Sequence, residues 1–274
     1  MTQNQNQTEG RNIPIGPWEE IGKVPVAGGF MQWAKVGSGP PIVLLPKIGG
    51  WIDDWRHVAK LLKADYQVIA IDPPGHGGSE MLGDPPFMIS LEHSAAAVMT
   101  TLDMLGIKQF VAAGNSMGGL ILLAASALWP GRISKLCLIS SALIEPLSLD
   151  KVREASANRQ KNGDQAPTYE EVDSMFSLTQ ETYDEFVLSK NVAGLWKEPC
   201  ICGVGFSGPI NYLSRSATPI MLISGANSNV FWKSEQEALR LRPDIRCESI
   251  EDCGSFAQQD KPDETHALML DFFG

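Results

Sequence analysis

One serine stands where its surroundings could make it a nucleophile. Residues 110–119 read Phe-Val-Ala-Ala-Gly-Asn-Ser-Met-Gly-Gly, so Gly114-Asn115-Ser116-Met117-Gly118 fits the pattern G-x-S-x-G. An apolar run precedes it and an Ala/Leu-rich run follows, the strand–sharp turn–helix setting that this pattern requires. Such a turn holds serine in a strained backbone conformation and lifts its Oγ above a sheet, with glycines where side chains would collide. The N–H of Met117 would then face an oxygen under attack. The competing reading, a small residue in a tight turn, explains the serine but not its flanks.

A serine hydroxyl needs a base, and the chain has four histidines. His57 and His93 fall within expected helices, and His76 within a glycine-rich turn. His266 lies in the last helix, about 15 Å along the axis from residue 255. None is placed to act as a general base.

The elements around these residues follow from apolar patterning. A hairpin is expected from Val24 through Gly28-Gly29 to Val36. Buried strands are expected at Ile42–Leu45, Gln67–Ile71, Phe110–Ala113, Ile133–Ser140, Ile220–Ser224 and Ile245–Ile250. Helical spacing marks Asp54–Leu62, Ser90–Leu105, Met117–Leu128, Lys233–Leu241 and Lys261–Phe273. Alternating strands and helices predict a mostly parallel central sheet flanked by helices, an α/β fold. A more polar segment, 145–216, with short helical patterns at Tyr169–Phe176 and Glu181–Leu188, is expected to be a small, mainly helical lid insertion. The core is then 16–144 and 217–274, and residues 1–15 a flexible tail.

Two more motifs accompany the serine. Val43-Leu44-Leu45-Pro46-Lys47-Ile48-Gly49-Gly50-Trp51 follows one strand, and Asp72-Pro73-Pro74-Gly75-His76-Gly77-Gly78-Ser79 follows the next. In this order and spacing, over nearly all of 24–273, the chain resembles the α/β-hydrolase family, with its "HGxGG", "DxxGxGxS" and G-x-S-x-G segments. The resemblance implies Ser116 as nucleophile and the N–H groups of Met117 and Ile48 as an oxyanion hole. It also implies an acid shortly after Gly225 and a histidine before Phe256. The chain departs at both places. Ser228 and Asn229 occupy the acid position, Asn229 being the better match, and Ser255 stands in the histidine slot. A buried carboxylate without its imidazole would be an unpaired charge costing about 3–5 kcal/mol, so Asn229 and Ser255 read as a matched neutral pair. Pro46-Lys47 replaces the usual His-Gly. Lys47 is expected either to bind a substrate carboxylate or enolate or to turn outward toward Asp53 or Asp54. Trp51, Asn115 and Trp232 complete the expected substrate contacts. Met175 and Trp196 are further candidates for an apolar lining, and Glu145 is an outlying candidate acid.

The 274 residues, 43% of them hydrophobic, suffice for one large core. A net charge of −10 argues against nucleic acid and anionic membranes. No apolar run reaches the length of a membrane span, and the polar start lacks the features of a signal peptide. Five cysteines, odd in number and without zinc spacing, suggest reduced thiols in a cytoplasmic protein. No cofactor or metal is expected, and the expected partner is a small apolar substrate. A homodimer is the candidate assembly.

Losing the histidine of such a triad costs roughly a millionfold in rate, leaving about 10³–10⁴ over water. The expectation is therefore an enzyme of the hydrolase family acting on an ester, lactone or C–C bond next to a carbonyl, by a non-standard route, hydrolytic or of lyase, cyclase or decarboxylase type. The alternative is a catalytically silent small-molecule binder. A third reading, a deliberately inactivated hydrolase, ranks behind both.

Overall fold

Along Pro41–Leu45 (β3), Val43 and Leu45 enter one apolar cluster while Ile42 and Leu44 enter another. Gln67–Ile71 (β4) divides the same way, with Ile69 and Ile71 on one side and Val68 and Ala70 on the other. Period-two alternation with both faces apolar is the mark of a sheet covered on both sides. The computed structural model describes residues 16–161, 168–228 and 230–274, with only the backbone for 189–193. The expected tail, 1–15, lies outside the described residues.

The expected hairpin forms from Glu20–Val26 (β1) and Gly29–Val36 (β2), joined through Gly28 at φ +85°. Further strands are Glu80–Met81 (β5), Phe110–Asn115 (β6), Ile133–Ile139 (β7), Ile220–Gly225 (β8) and Arg246–Ile250 (β9). Among the described residues they make one sheet of order β1-β2-β4-β3-β6-β7-β8-β9, with the short β5 added to β2. Pairing is antiparallel around β2 and parallel from β4 to β9. Only β5 was not foreseen, because two residues carry no periodicity.

Helices Arg56–Leu62 (α1), Leu91–Met104 (α2) and Met117–Leu128 (α3) connect the strands of the first half. Ser90 caps α2 by accepting from the His93 amide. Helices α2 and α3 cover one face, and α1 covers the other together with Pro262–Phe273 (α10).

Between β7 and β8 come Leu149–Lys161 (α4), Tyr169–Phe176 (α5), Gln180–Ala193 (α6) and Lys197–Ser207 (α7). A capping box starts α5: the Glu171 amide donates to Thr168 Oγ1 and the Thr168 amide to Glu171. The insertion is tied back to the core through Ile89 N–H to Pro199 O at 3.0 Å and a close approach of Gly203 to Ile89. The last part of the core adds Trp232–Leu241 (α8) and Ala257–Asp260 (α9). No described helix is long and apolar enough to cross a membrane.

Candidate active site

Strand β6 delivers the chain to Ser116 and α3 begins at the next residue. Ser116 has φ +49° and ψ −120°, a conformation that costs a non-glycine residue about 1–3 kcal/mol. Its surroundings hold it there. The Ser116 amide donates to Ile139 O at 2.8 Å, and its carbonyl accepts from the Leu120 amide at 3.2 Å and from Ser141 Oγ at 3.3 Å. A Cβ on Gly114 would lie 2.3 Å from the Gly119 nitrogen, and one on Gly118 would lie 2.3 Å from the Leu45 carbonyl oxygen. The pattern's glycines are thus required by backbone contacts, as the sequence implied.

Ser116 opens into a cavity of about 250 Å³. Ile48 and Met117 share its wall, with Leu120 behind them. Much of the remaining wall comes from the segment between β7 and β8. Val152, Ala155 and Arg159 form one face of α4, and Ile201, Cys202 and Gly205 come from α7. The sequence reading missed these residues. Their only signal was helical spacing of 152, 155 and 159 in a segment that otherwise reads as polar.

The turn after β8 and the loop before α9 come together through two serines. Ser228 Oγ and Ser255 Oγ are 2.8 Å apart. Asn229, favoured from the sequence, lies outside the described residues. Ser255 is 1% exposed. Its amide donates to Phe176 O at 2.8 Å, and its carbonyl accepts from Asn115 Nδ2 at 3.2 Å. Ser177 ends α5 with φ +50° and brings its carbonyl against Gly254, where a Cβ would lie 1.6 Å away. The α5–α6 turn therefore covers Ser255.

Four expected substrate contacts do not line the cavity. Asn115 is fully buried, its amide bridging the carbonyls of Ile139 and Ser255 at 3.1 and 3.2 Å, so it braces the turn from below. Lys47 is 2% exposed and points neither into the cavity nor outward. Its Nζ lies 2.7 Å from Asp54 and 3.4 Å from Gln259, over the ring of Phe256 at 5.2 Å. A buried ammonium demands such a partner, and Asp54 supplies it seven residues on. Gln259 continues the network to Glu185 of α6 at 2.6 Å, and Glu185 pairs with Arg56. Trp51 is a core residue, 6% exposed, with Nε1 on Asp53 at 3.2 Å. Trp232 is 59% exposed and lines a separate hollow with Ser228 and Glu235. Met175, Trp196 and Glu145 also lie off the cavity wall.

Among the described residues no histidine lines this cavity. His76 is completely buried, its Nδ1–H donating to Pro74 O at 3.0 Å, and burial brings its pKa down to about 4. Burial, with Arg56 alongside, also lowers His57 on α1. Asp72, from the second glycine-rich motif, is structural: its carboxylate accepts from the Ile52 and Gly78 amides at 2.7 and 2.8 Å and from Gln32 at 3.0 Å. Among the described residues no three His, Cys, Asp or Glu side chains are grouped to hold a metal ion.

Comparison with known proteins agrees with this architecture. The family model described as "alpha/beta hydrolase fold" matches residues 40–195, more than half of the chain. A 2-hydroxy-6-oxo-6-phenylhexa-2,4-dienoate hydrolase of Comamonas testosteroni is 23% identical over 89% of this chain and 91% of its own length. A dihydrolipoyllysine-residue acetyltransferase component of the acetoin cleaving system from Pseudomonas putida is 37% identical over 44% of this chain. The matched part is 32% of that protein, so the chain spans about a third of its length. The crystal structure of an enol-lactonase from Burkholderia xenovorans LB400 superposes with a TM-score of 0.75 at 20% identity, over 92% of this chain and 99% of the other. The chain belongs to the α/β-hydrolase fold family.

Proposed function

We propose that this protein is an enzyme acting on a small, largely apolar carbonyl compound at Ser116, without the proton relay of an ordinary serine hydrolase. The observation that carries this reading is a contrast. The strained turn at Ser116 is kept with every glycine it needs, facing an apolar cavity, while two uncharged hydroxyls, Ser228 and Ser255, hold the relay positions. The similarity to a dienoate hydrolase and to an enol-lactonase supports a carbonyl substrate.

In this reading the substrate carbonyl oxygen sits against the N–H groups of Ile48 and Met117, where one donor is worth about 3–4 kcal/mol. With no base beside it among the described residues, the Ser116 hydroxyl remains neutral and acts first as a third donor to that oxygen. Enolate-like charge is thereby stabilised, and cyclisation, elimination or decarboxylation then needs less proton transfer than hydrolysis. Helices α4–α7 serve as the lid that shapes the cavity and excludes water.

The test is to follow lactones, enol esters and β-keto acids by NMR with the parent protein and Ser116→Ala. Turnover above the spontaneous rate that falls at least tenfold in the variant supports the reading. A second reading, a silent binding protein, is favoured by one observation: Ser255 is sealed under Phe176 with its hydroxyl already engaged. Saturable binding with no product from any of these compounds would decide for it. Ser228→Asp/Ser255→His separates an idle hydrolase site from a rebuilt one, because only the former gains ester turnover by orders of magnitude.

A further inference from the structure

Among the described residues, Arg159 is the one charged side chain in the wall of the Ser116 cavity. Its guanidinium is half engaged. Nε lies 3.3 and 3.1 Å from the two carboxylate oxygens of Glu198, and Nη2 lies 2.9 Å from one of them. Nη2 also approaches Cys202 Sγ at 3.8 Å. Nη1 has no hydrogen-bond partner among the described residues, although both of its N–H groups are donors. Glu198 thus fixes the fork from its Nε/Nη2 edge, and on the Nη1/Nη2 edge Nη2 meets only the weak acceptor Cys202 Sγ while Nη1 is left open.

The placement is set by two helices. Arg159 follows Val152 and Ala155 on the inward face of α4, and Glu198 begins α7, which also supplies Cys202. The side chain is 39% exposed, so it stands where the cavity meets solvent, while Ile48, Ser116 and Met117 form the core side. A guanidinium edge matches a planar carboxylate in two parallel hydrogen bonds and stays charged at every physiological pH. The cavity, about 250 Å³, is of a size for a small molecule rather than a long chain.

We propose that Arg159 is a specificity-determining residue that selects short carbonyl compounds bearing a carboxylate at the end remote from Ser116. This rests on the reading that the cavity is the substrate site. The reacting carbonyl lies at Ser116, an apolar segment crosses the cavity, and the carboxylate meets the open edge of Arg159. Glu198 orients the guanidinium and offsets part of its charge, so the selection is moderate.

The probes are monomethyl succinate and its neutral isostere methyl 4-methylpentanoate, titrated calorimetrically into the full-length protein. The parent should prefer the half-ester about tenfold or more, the range expected of a charge-assisted hydrogen bond. Arg159→Met should abolish that preference while changing binding of the neutral ester less than about twofold, since the stem is retained. Glu198→Gln should raise the preference several-fold, because it keeps a hydrogen-bond acceptor and removes the opposing charge. A purely structural Arg159–Glu198 pair would move both esters together in both variants, and that result overturns the assignment. Equal binding of the two esters by the parent also overturns it and leaves the cavity reading standing. No saturable binding of either ester overturns both.

Discussion

Replacing Lys47 by Met separates a structural lysine from a substrate-binding one. Lys47 Nζ and Asp54 Oδ2 are 2.7 Å apart, and the two side chains are 2% and 1% exposed. Removing the ammonium leaves a buried carboxylate near Glu185, with Arg56 as the remaining cation acting on it. Breaking one side of such a pair costs about 3–5 kcal/mol. At roughly 2–4 °C per kcal/mol for a chain of this order of size, Lys47→Met should melt about 10 °C below the parent. The second substitution is Asp54→Asn, and the Lys47→Met/Asp54→Asn double variant should recover most of the loss, since no charge is then stranded. The pH dependence has a definite sign. Burial holds the Asp54 carboxyl above its ordinary value against the pull of Lys47. A carboxyl raised on folding binds more protons in the folded state, so stability falls as pH rises through the raised value. Without Lys47 that value rises further. The deficit of Lys47→Met should therefore be small near pH 4 and full at pH 8, as read from thermal melts followed by circular dichroism. A variant that melts with the parent at pH 8 yet loses ligand binding would refute the reasoning and return Lys47 to the substrate.

Two further outcomes follow from the same geometry. Gly118→Ala places a Cβ 2.3 Å from the Leu45 oxygen and 2.5 Å from the Pro46 oxygen, both backbone. It should cost about 1–3 kcal/mol or more in urea unfolding, and an unchanged midpoint would show that the turn does not need this close approach. Asp72 is pushed up to about 7 by burial, against the lowering effect of the Gly78 and Ile52 amides. Because its folded pKa is raised, stability should fall as pH rises from about 4 to 7. Asp72→Asn should be less stable than the parent, because its NH₂ would face an amide donor, yet show a flatter profile over that range. A parent profile that stays level from pH 4 to 7 would contradict the raised value.

The legible parts of this protein are those fixed by neighbours in the chain. The glycines around Ser116 announce the turn because the collisions they avoid involve residues a few positions away or at the ends of adjacent strands. Period-two and period-3.6 patterns located the strands and helices of the core because burial on both faces of the sheet leaves a continuous apolar record. Tertiary structure decided what lies against what. That Ser228 meets Ser255 depends on how the turn after β8 closes, with the Ser228 amide bound to the Gly225 carbonyl at 3.1 Å. Lys47 turned inward because Asp54 converges on it from one segment and Phe256 and Gln259 from another, more than 200 residues on. Much of the cavity wall, and Arg159 within it, comes from the segment between β7 and β8, whose polar exterior hides its short apolar face. Sequence carries the local constraints that make a serine available, but the contacts that surround it exist only once distant segments pack together.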